Sequence, residues 1–163
     1  LYYCIYLNYL NIYYSIKTMW NIIEDLKYGK VREKYVIKYL NGDIYMNDNL
    51  KLYENEKKQV DFRNEEIVGE LKSRTCTHTH YDTTFFGYNK IEYLIQSKDK
   101  RVWKFYFLFT DGLYVWTYNT EQFEIRDYEH RERGWIKQVY IDIKYLECLS
   151  RKIHNHKDIT RMI

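Results

Sequence analysis

The chain has no proline in 163 residues, only three cysteines and only six glycines. Average usage of about 5% would supply roughly eight prolines. Their absence excludes proline-rich linkers and collagen-like repeats. Cys4, Cys76 and Cys148 are odd in number and far apart, which excludes an ordinary disulfide framework and points to a reducing compartment, cytoplasm or nucleus. Long apolar runs are also lacking: the first sixteen residues are rich in tyrosine, but Asn8 and Asn11 interrupt them well short of the ~20 apolar residues a membrane helix needs. That stretch carries no cation before Lys17 and so does not read as a secretory signal. Net charge is small as well. With 26 basic and 23 acidic residues the balance is +3, with no polybasic tail, so a nucleic-acid surface has to be local.

What is abundant is aromatic: 20 tyrosines, and aromatics at 19% of the chain. Tyrosine, asparagine, lysine and isoleucine together suggest an AT-rich coding sequence, compatible with a viral or phage genome. A hydrophobic share of 45% and a length of 163 residues suit a single globular domain with its own core. Met19-Trp20 opens a regular amphipathic pattern, so residues 1–18 are expected to be upstream translation or else a peripheral strand or helix. The domain then covers 19–150, with a basic tail over 151–163.

Helical spacing runs through Ile22, Ile23 and Leu26 and again from Val31 to Leu40, with Gly29 separating two helices or kinking one. Asn41-Gly42-Asp43 stops it, and 44–53 reads as strand or loop. Lys57–Arg63 and Ile67–Arg74 read as strands joined by Asn64-Glu65-Glu66. Thr75–Asp82 is turn-like. Thr83 or Thr84 is expected to cap a helix through Asn89, Ile91, Leu94 and Ile95. Arg101–Thr110, aromatic at most positions, predicts a central strand buried on both faces. Asp111-Gly112 predicts a hairpin turn into Leu113–Tyr118. Val139–Ile143 is expected to be the last strand. The segment holding Arg126, Arg131, Arg133 and Lys137 with Tyr128 and Trp135 mixes basic and aromatic residues in a way that suits backbone tracking with base stacking, but Asp127, Glu129 and Glu132 dilute its charge, and it reads as a solvated loop. The fold class is therefore α/β, a mixed sheet flanked by helices.

The chemistry concentrates on two strands. Asp61 lies between Val60 and Phe62 and alternation points it away from both. In Ile67-Val68-Gly69-Glu70-Leu71-Lys72, the period of two places Glu70 and Lys72 on one face and leaves room at Gly69 for a close approach. At about 100° per residue, Val36, Ile37 and Leu40 fall within about 60° of Glu33, so Glu33 sits inside an apolar stripe and needs a partner. Converging carboxylates repel one another, and a hard divalent cation such as Mg²⁺ relieves this. With a neighbouring lysine to orient water or stabilise developing charge, the set makes a phosphodiesterase site. The alternative is ordinary structure: Asp61 capping a turn, Glu70 and Lys72 as a surface pair, Glu33 solvated.

Asp61, eight intervening residues and Glu70-x-Lys72 resemble the PD-(D/E)XK nuclease superfamily. Gly29-x-x-x-Glu33-x-x-x-Ile37-x-x-Leu40 resembles the first-helix glutamate motif of many of its members, and the order of elements fits as well. The likeness covers about Gly29 to Thr110. Val60 stands where members often carry proline. The resemblance implies a restriction-endonuclease-like core, here with an added β-hairpin, one or two Mg²⁺ (or Mn²⁺) ions, and DNA as substrate. It implies Asp61, Glu70 and the Leu71 carbonyl as metal ligands, Lys72 acting on the water, and Glu33 holding a metal or its water. Many such nucleases dimerise, so a homodimer belongs to the expectation; a membrane does not. Arg74, sharing the face of Glu70, and Asn89 and Lys90 near a helix start are the candidate DNA contacts. The competing readings are a catalytically inactive module on the same scaffold, for example in a virus particle, and a metal-free single-strand or RNA binder using its aromatics. His154-Asn155-His156 in a tail is not the HNH nuclease motif, and Cys76-x-His78-x-His80 has no partner pair to complete a zinc site.

Overall fold

The computed structural model describes residues 27–41, 51–52 and 60–153. A helix, α1, spans 27–41 and is followed by β1 (Lys51–Leu52), β2 (Phe62–Arg63) and β3 (Ile67–Ser73). Next come β4 (Thr83–Gly87), α2 (Asn89–Ser97), β5 (Val102–Phe109) and β6 (Gly112–Thr117). The chain continues through β7 (Phe123–His130), β8 (Gly134–Asp142), a 3₁₀ turn at Ile143–Tyr145 and β9 (Glu147–Ser150). The strands form two sheets: six strands in the order β1-β2-β3-β5-β6-β9, and three in the order β4-β8-β7. In the large sheet only β3 and β5 run parallel; the other pairs are antiparallel. The parallel pair needs a crossover, and the segment between its strands supplies α2. The fold is mixed α/β, as expected.

The large sheet separates two cores. On one face α1 buries Val36, Ile37 and Leu40 against Phe62, Leu71, Tyr106, Leu108, Leu113 and Ile153. On the other, Val68, Trp103, Phe105, Phe107 and Trp116 meet Ile91 and Leu94 of α2 and Phe86, Val139 and Ile141 of the small sheet. β5 contributes to both cores, so the aromatic run 103–109 is the doubly buried central strand the sequence predicts. Each such side chain contributes about 1.5–3 kcal/mol on burial.

Several local expectations change. Residues 19–26 and 154–163, with the segment 1–18, lie outside the described residues. α1 continues through Gly29 without a break. Thr83–Gly87 is a strand, not a helix start: Thr84 and Phe86 pair with Ile141 and Val139 of β8, so sheet pairing overrides the capping signal, and α2 begins at Asn89 with no side-chain cap from Tyr88. The hairpin turn falls at Thr110-Asp111, because Gly112 already pairs with Phe109. The stretch read as a solvated loop is the β7–β8 hairpin. The region read as leading into a tail contains β9, and Ile153 is buried in the α1 core.

The start of β5 is tied to the β2–β3 turn. Arg101 donates through Nε to Asp99 Oδ1 (2.9 Å) and through Nη1 to the Asn64 carbonyl (2.8 Å). The Arg101 hydrogen bond holds the Asp99 carboxyl below its ordinary value. A depressed carboxylate contributes stability above its unfolded pKa and loses it as pH falls through the folded one. Asp99→Asn is expected to lower the urea midpoint at pH 7, with the gap to wild type closing below about pH 4, where the unfolded carboxyl protonates. A gap that persists at low pH would assign Asp99 a purely steric role.

Candidate functional site

The antiparallel register pairs Phe62 with Gly69. One residue further, the Asp61 amide donates to the Gly69 carbonyl (3.0 Å), and the Leu71 amide donates to Asp61 Oδ2 (2.8 Å). Asp61 is therefore held against the β3 backbone opposite Glu70. A residue's N–H and C=O point to the same edge of an extended strand, so the Leu71 carbonyl faces the β2 side with Asp61. Residues 60–61 form a bend, which corrects the expected alternation: Val60 turns into the α2-side core while Phe62 packs on the α1 side.

Glu70 and Lys72 stand beside Phe105 and Phe107 on β5, on the face that carries α2. Glu70 is only 2% exposed. Its Oε1 accepts from Lys72 Nζ at 2.6 Å and pairs with Lys90 Nζ at 3.0 Å. Its Oε2 is buried with no hydrogen-bond partner. Burial pushes the Glu70 carboxyl above its ordinary value; Lys72 and Lys90 oppose this, and the negative charge of Asp61 adds to it. Lys90 arrives from the first turn of α2. Four of the sequence candidates, Asp61, Glu70, Lys72 and Lys90, thus converge.

The other candidates are placed differently. Glu33 is half-buried on α1, one turn before Val36 and Ile37, which pack on the opposite face of the sheet from Glu70. Among the described residues no three His, Cys, Asp or Glu side chains gather as a metal-holding group. Asn89 is exposed at the start of α2, and its carboxamide lies against Gly87, where an added Cβ would meet it at 2.5 Å. Arg74 is used by the fold. It donates through Nε to Thr84 Oγ1 (3.2 Å) and through Nη2 to the Phe85 carbonyl, and it lies 5.1 Å from the Phe85 ring centroid. It joins β3 of the large sheet to β4 of the small one.

Sequence reasoning missed one polar cluster. His78 Nδ1 lies 2.9 Å from Asp111 Oδ2 and 2.9 Å from the Tyr114 hydroxyl, and its ring stacks on Tyr114 at 4.3 Å. The His78 amide also donates to Asp111 Oδ1 (2.9 Å). Burial would raise the Asp111 carboxyl, but the His78 hydrogen bonds outweigh it and hold it below its ordinary value. Burial and the Asp111 charge push the Tyr114 hydroxyl up to about 12. The 33 residues separating His78 from Asp111 carry no spacing signal. His80 packs edge-on against Tyr81 at 4.4 Å.

No protein-family model matches the chain, and no curated protein matches it. No helix among the described residues is long and apolar enough to cross a membrane.

Proposed function

We propose that the chain is a divalent-metal-dependent DNA endonuclease of the PD-(D/E)XK type. The observation that carries the reading is Glu70: a buried carboxylate with one oxygen on Lys72 and Lys90 and the other without a partner, next to Asp61. The topology supports it. A helix precedes an antiparallel β1-β2-β3 meander, and a crossover helix leads to a strand parallel to β3.

The donor set fits Mg²⁺ or Mn²⁺, which take oxygen ligands and keep several waters, so two carboxylates and a carbonyl suffice as a protein shell. Asp61, Glu70 and the Leu71 carbonyl would hold the ion. When bound, it supplies Lewis-acid stabilisation of the phosphate and lowers the pKa of a coordinated water. Lys72, 28% exposed, reaches from the buried carboxylate toward solvent and is placed to orient the attacking water and stabilise developing negative charge. Lys90, 16% exposed, neutralises Glu70 from the other side and supplies a cation for the phosphate. The resemblance also assigns Glu33 to the metal or its water.

The test is cleavage of labelled duplex, branched and single-stranded DNAs with Mn²⁺, Mg²⁺ or EDTA. Metal-dependent cutting is expected, reduced by about 10²–10³-fold in Lys72→Ala with the circular dichroism spectrum unchanged. Undiminished cutting by that variant would remove the assignment. One feature favours the second reading, an inactive module: two lysines already neutralise Glu70, so the cluster can stand without an ion. Calorimetry with Mn²⁺ separates the two, since the inactive module predicts no binding. Glu33→Gln in the same titration reads what Glu33 contributes.

A further inference from the structure

The small sheet packs one face on the aromatic core through Phe86, Val139 and Ile141. Its other face looks outward. In register across that face lie Phe85 beside Tyr140, Tyr140 beside Glu124, Arg126 beside Gln138 and Tyr128 beside Ile136. Phe85 is 42% exposed and Tyr128 46%, and Tyr140 is half-buried. The Phe85 and Tyr140 rings are 5.5 Å apart, and the Arg126 guanidinium lies 4.6 Å over the Tyr140 ring. Beyond Gly87, β8 has no β4 partner, so residues 127–130 and 134–137 continue as a two-stranded ribbon whose turn carries Arg131 and Arg133.

The outer face is balanced in charge, and the ribbon turn adds Arg131 and Arg133 against Glu132. The inner side of the ribbon carries Asp127, Glu129, Trp135 and Lys137. On the outer face the two carboxylates are each paired with a cation: Glu124 with Arg126 at 2.7 Å and Asp142 with Lys144 at 2.9 Å. Arg131 and Arg133 make no ion pair among the described residues. What faces solvent is therefore a row of aromatic rings, Phe85, Tyr140 and Tyr128, with the Arg126 guanidinium stacked among them and Arg131 and Arg133 at the ribbon tip.

We infer that this outer face is a stacking platform for unpaired nucleotides. Rings borne on a sheet face reach the π-face of a base only when the base is out of a duplex, and stacking of that kind is tolerant of sequence. Arg126, layered on Tyr140, extends the stacking surface, and Arg131 and Arg133 at the ribbon tip meet the phosphates. The face is mainly aromatic, and the cations without an ion pair among the described residues, Arg131 and Arg133, lie at its tip, which fits a polyanion with flat bases better than the apolar face of a protein partner. This inference goes beyond the nuclease reading and extends it: a DNA held here would carry a single-stranded flank or branch.

The experiment is fluorescence anisotropy of the full chain in EDTA with a labelled oligothymidylate, the ribonucleotide equivalent and a duplex of equal length. Tighter binding of the single strands than of the duplex is expected. Tyr128→Ser with Arg126→Gln should weaken single-strand binding at least about tenfold, within the range of one lost base stack. Arg131→Gln with Arg133→Gln should lower the slope of log K against log salt by about 1.4, or 0.7 per lost phosphate contact. The DNA and RNA arms distinguish the two sources of unpaired bases. Unchanged affinity in both variants, or a preference for duplex, would overturn the inference. So would a concentration-dependent dimer in sedimentation that Tyr128→Ser with Arg126→Gln converts to monomer, because the face would then belong to a second copy. Because binding is read without metal, its failure leaves the cleavage assay standing, and loss of metal binding leaves the platform standing.

Discussion

Asp61→Asn is expected to leave the protein folded and to reduce metal-dependent cleavage by about 10³-fold. Asparagine keeps the shape and an oxygen that accepts the Leu71 amide, now held at 2.8 Å, so the local β2–β3 geometry survives. What it removes is one of the two negative charges, those of Asp61 and Glu70, that the proposed ion would face. In a site where Glu70 is almost fully buried, water compensates little for that loss. Calorimetry should show Mn²⁺ affinity falling out of range while the urea midpoint stays near wild type. The variant also removes a repulsion that raises the Glu70 carboxyl. A folded Asp61→Asn that still binds metal and cuts would exclude Asp61 as a ligand.

Gly69→Ala is the second large effect, and it acts through packing. A Cβ at this position would lie 2.3 Å from Phe62 Cδ2 and 2.5 Å from its Cε2, with Tyr106 Cε2 at 3.2 Å. The Phe62 ring cannot retreat cheaply: it is fully buried and packs on Tyr106 at a centroid distance of 5.3 Å. Overpacking of this kind costs about 1–3 kcal/mol, or a fall in melting temperature of up to about 10 °C for a domain of this length. Because Asp61 directly precedes Phe62 and hydrogen-bonds to Gly69, metal affinity should fall with stability. Phe62→Leu in the same chain makes room for the methyl, and the pair should lose less than the sum of the single changes. Strict additivity would show that the two positions do not share the strain.

These two residues also show what was legible. The Asp61, Glu70 and Lys72 cluster could be read from the sequence because it is local: two short strands and a tight turn bring the residues together by period alone. Lys90 could be flagged near a helix start, but its pairing with Glu70 depends on the crossover that docks α2. The aromatic run through Phe105 and Phe107 announced a doubly buried strand because no amphipathic element is that uniformly apolar. Thr83–Gly87 was misread because a threonine before a helix carries a true capping signal, and only pairing with β8, more than fifty residues away, overrides it. β7 and the first half of β8 escaped because a ribbon wet on nearly all sides has no hydrophobic alternation to read. Strand parity alone makes Arg74 a candidate phosphate contact; its hydrogen bonds to Thr84 and the Phe85 carbonyl were not legible, because they belong to a strand that sequence pattern does not reveal.

The burial of Ile153 beside Val36 and Leu40 bears on the order in which the chain can fold. Residues separated by on the order of a hundred positions must meet before the α1 layer is complete, and closing so long a loop is paid for before any of its contacts is gained. The parallel β3–β5 pair adds a second non-local closure. Folding is therefore expected on the millisecond-to-second scale of high-contact-order domains. On a ribosome, the apolar stripe of α1 would be covered in stages, first by Phe62 and Leu71, then by Tyr106, Leu108 and Leu113, and only after a further stretch of chain by Ile153, so part of it stays exposed to aggregation long after the helix itself has emerged.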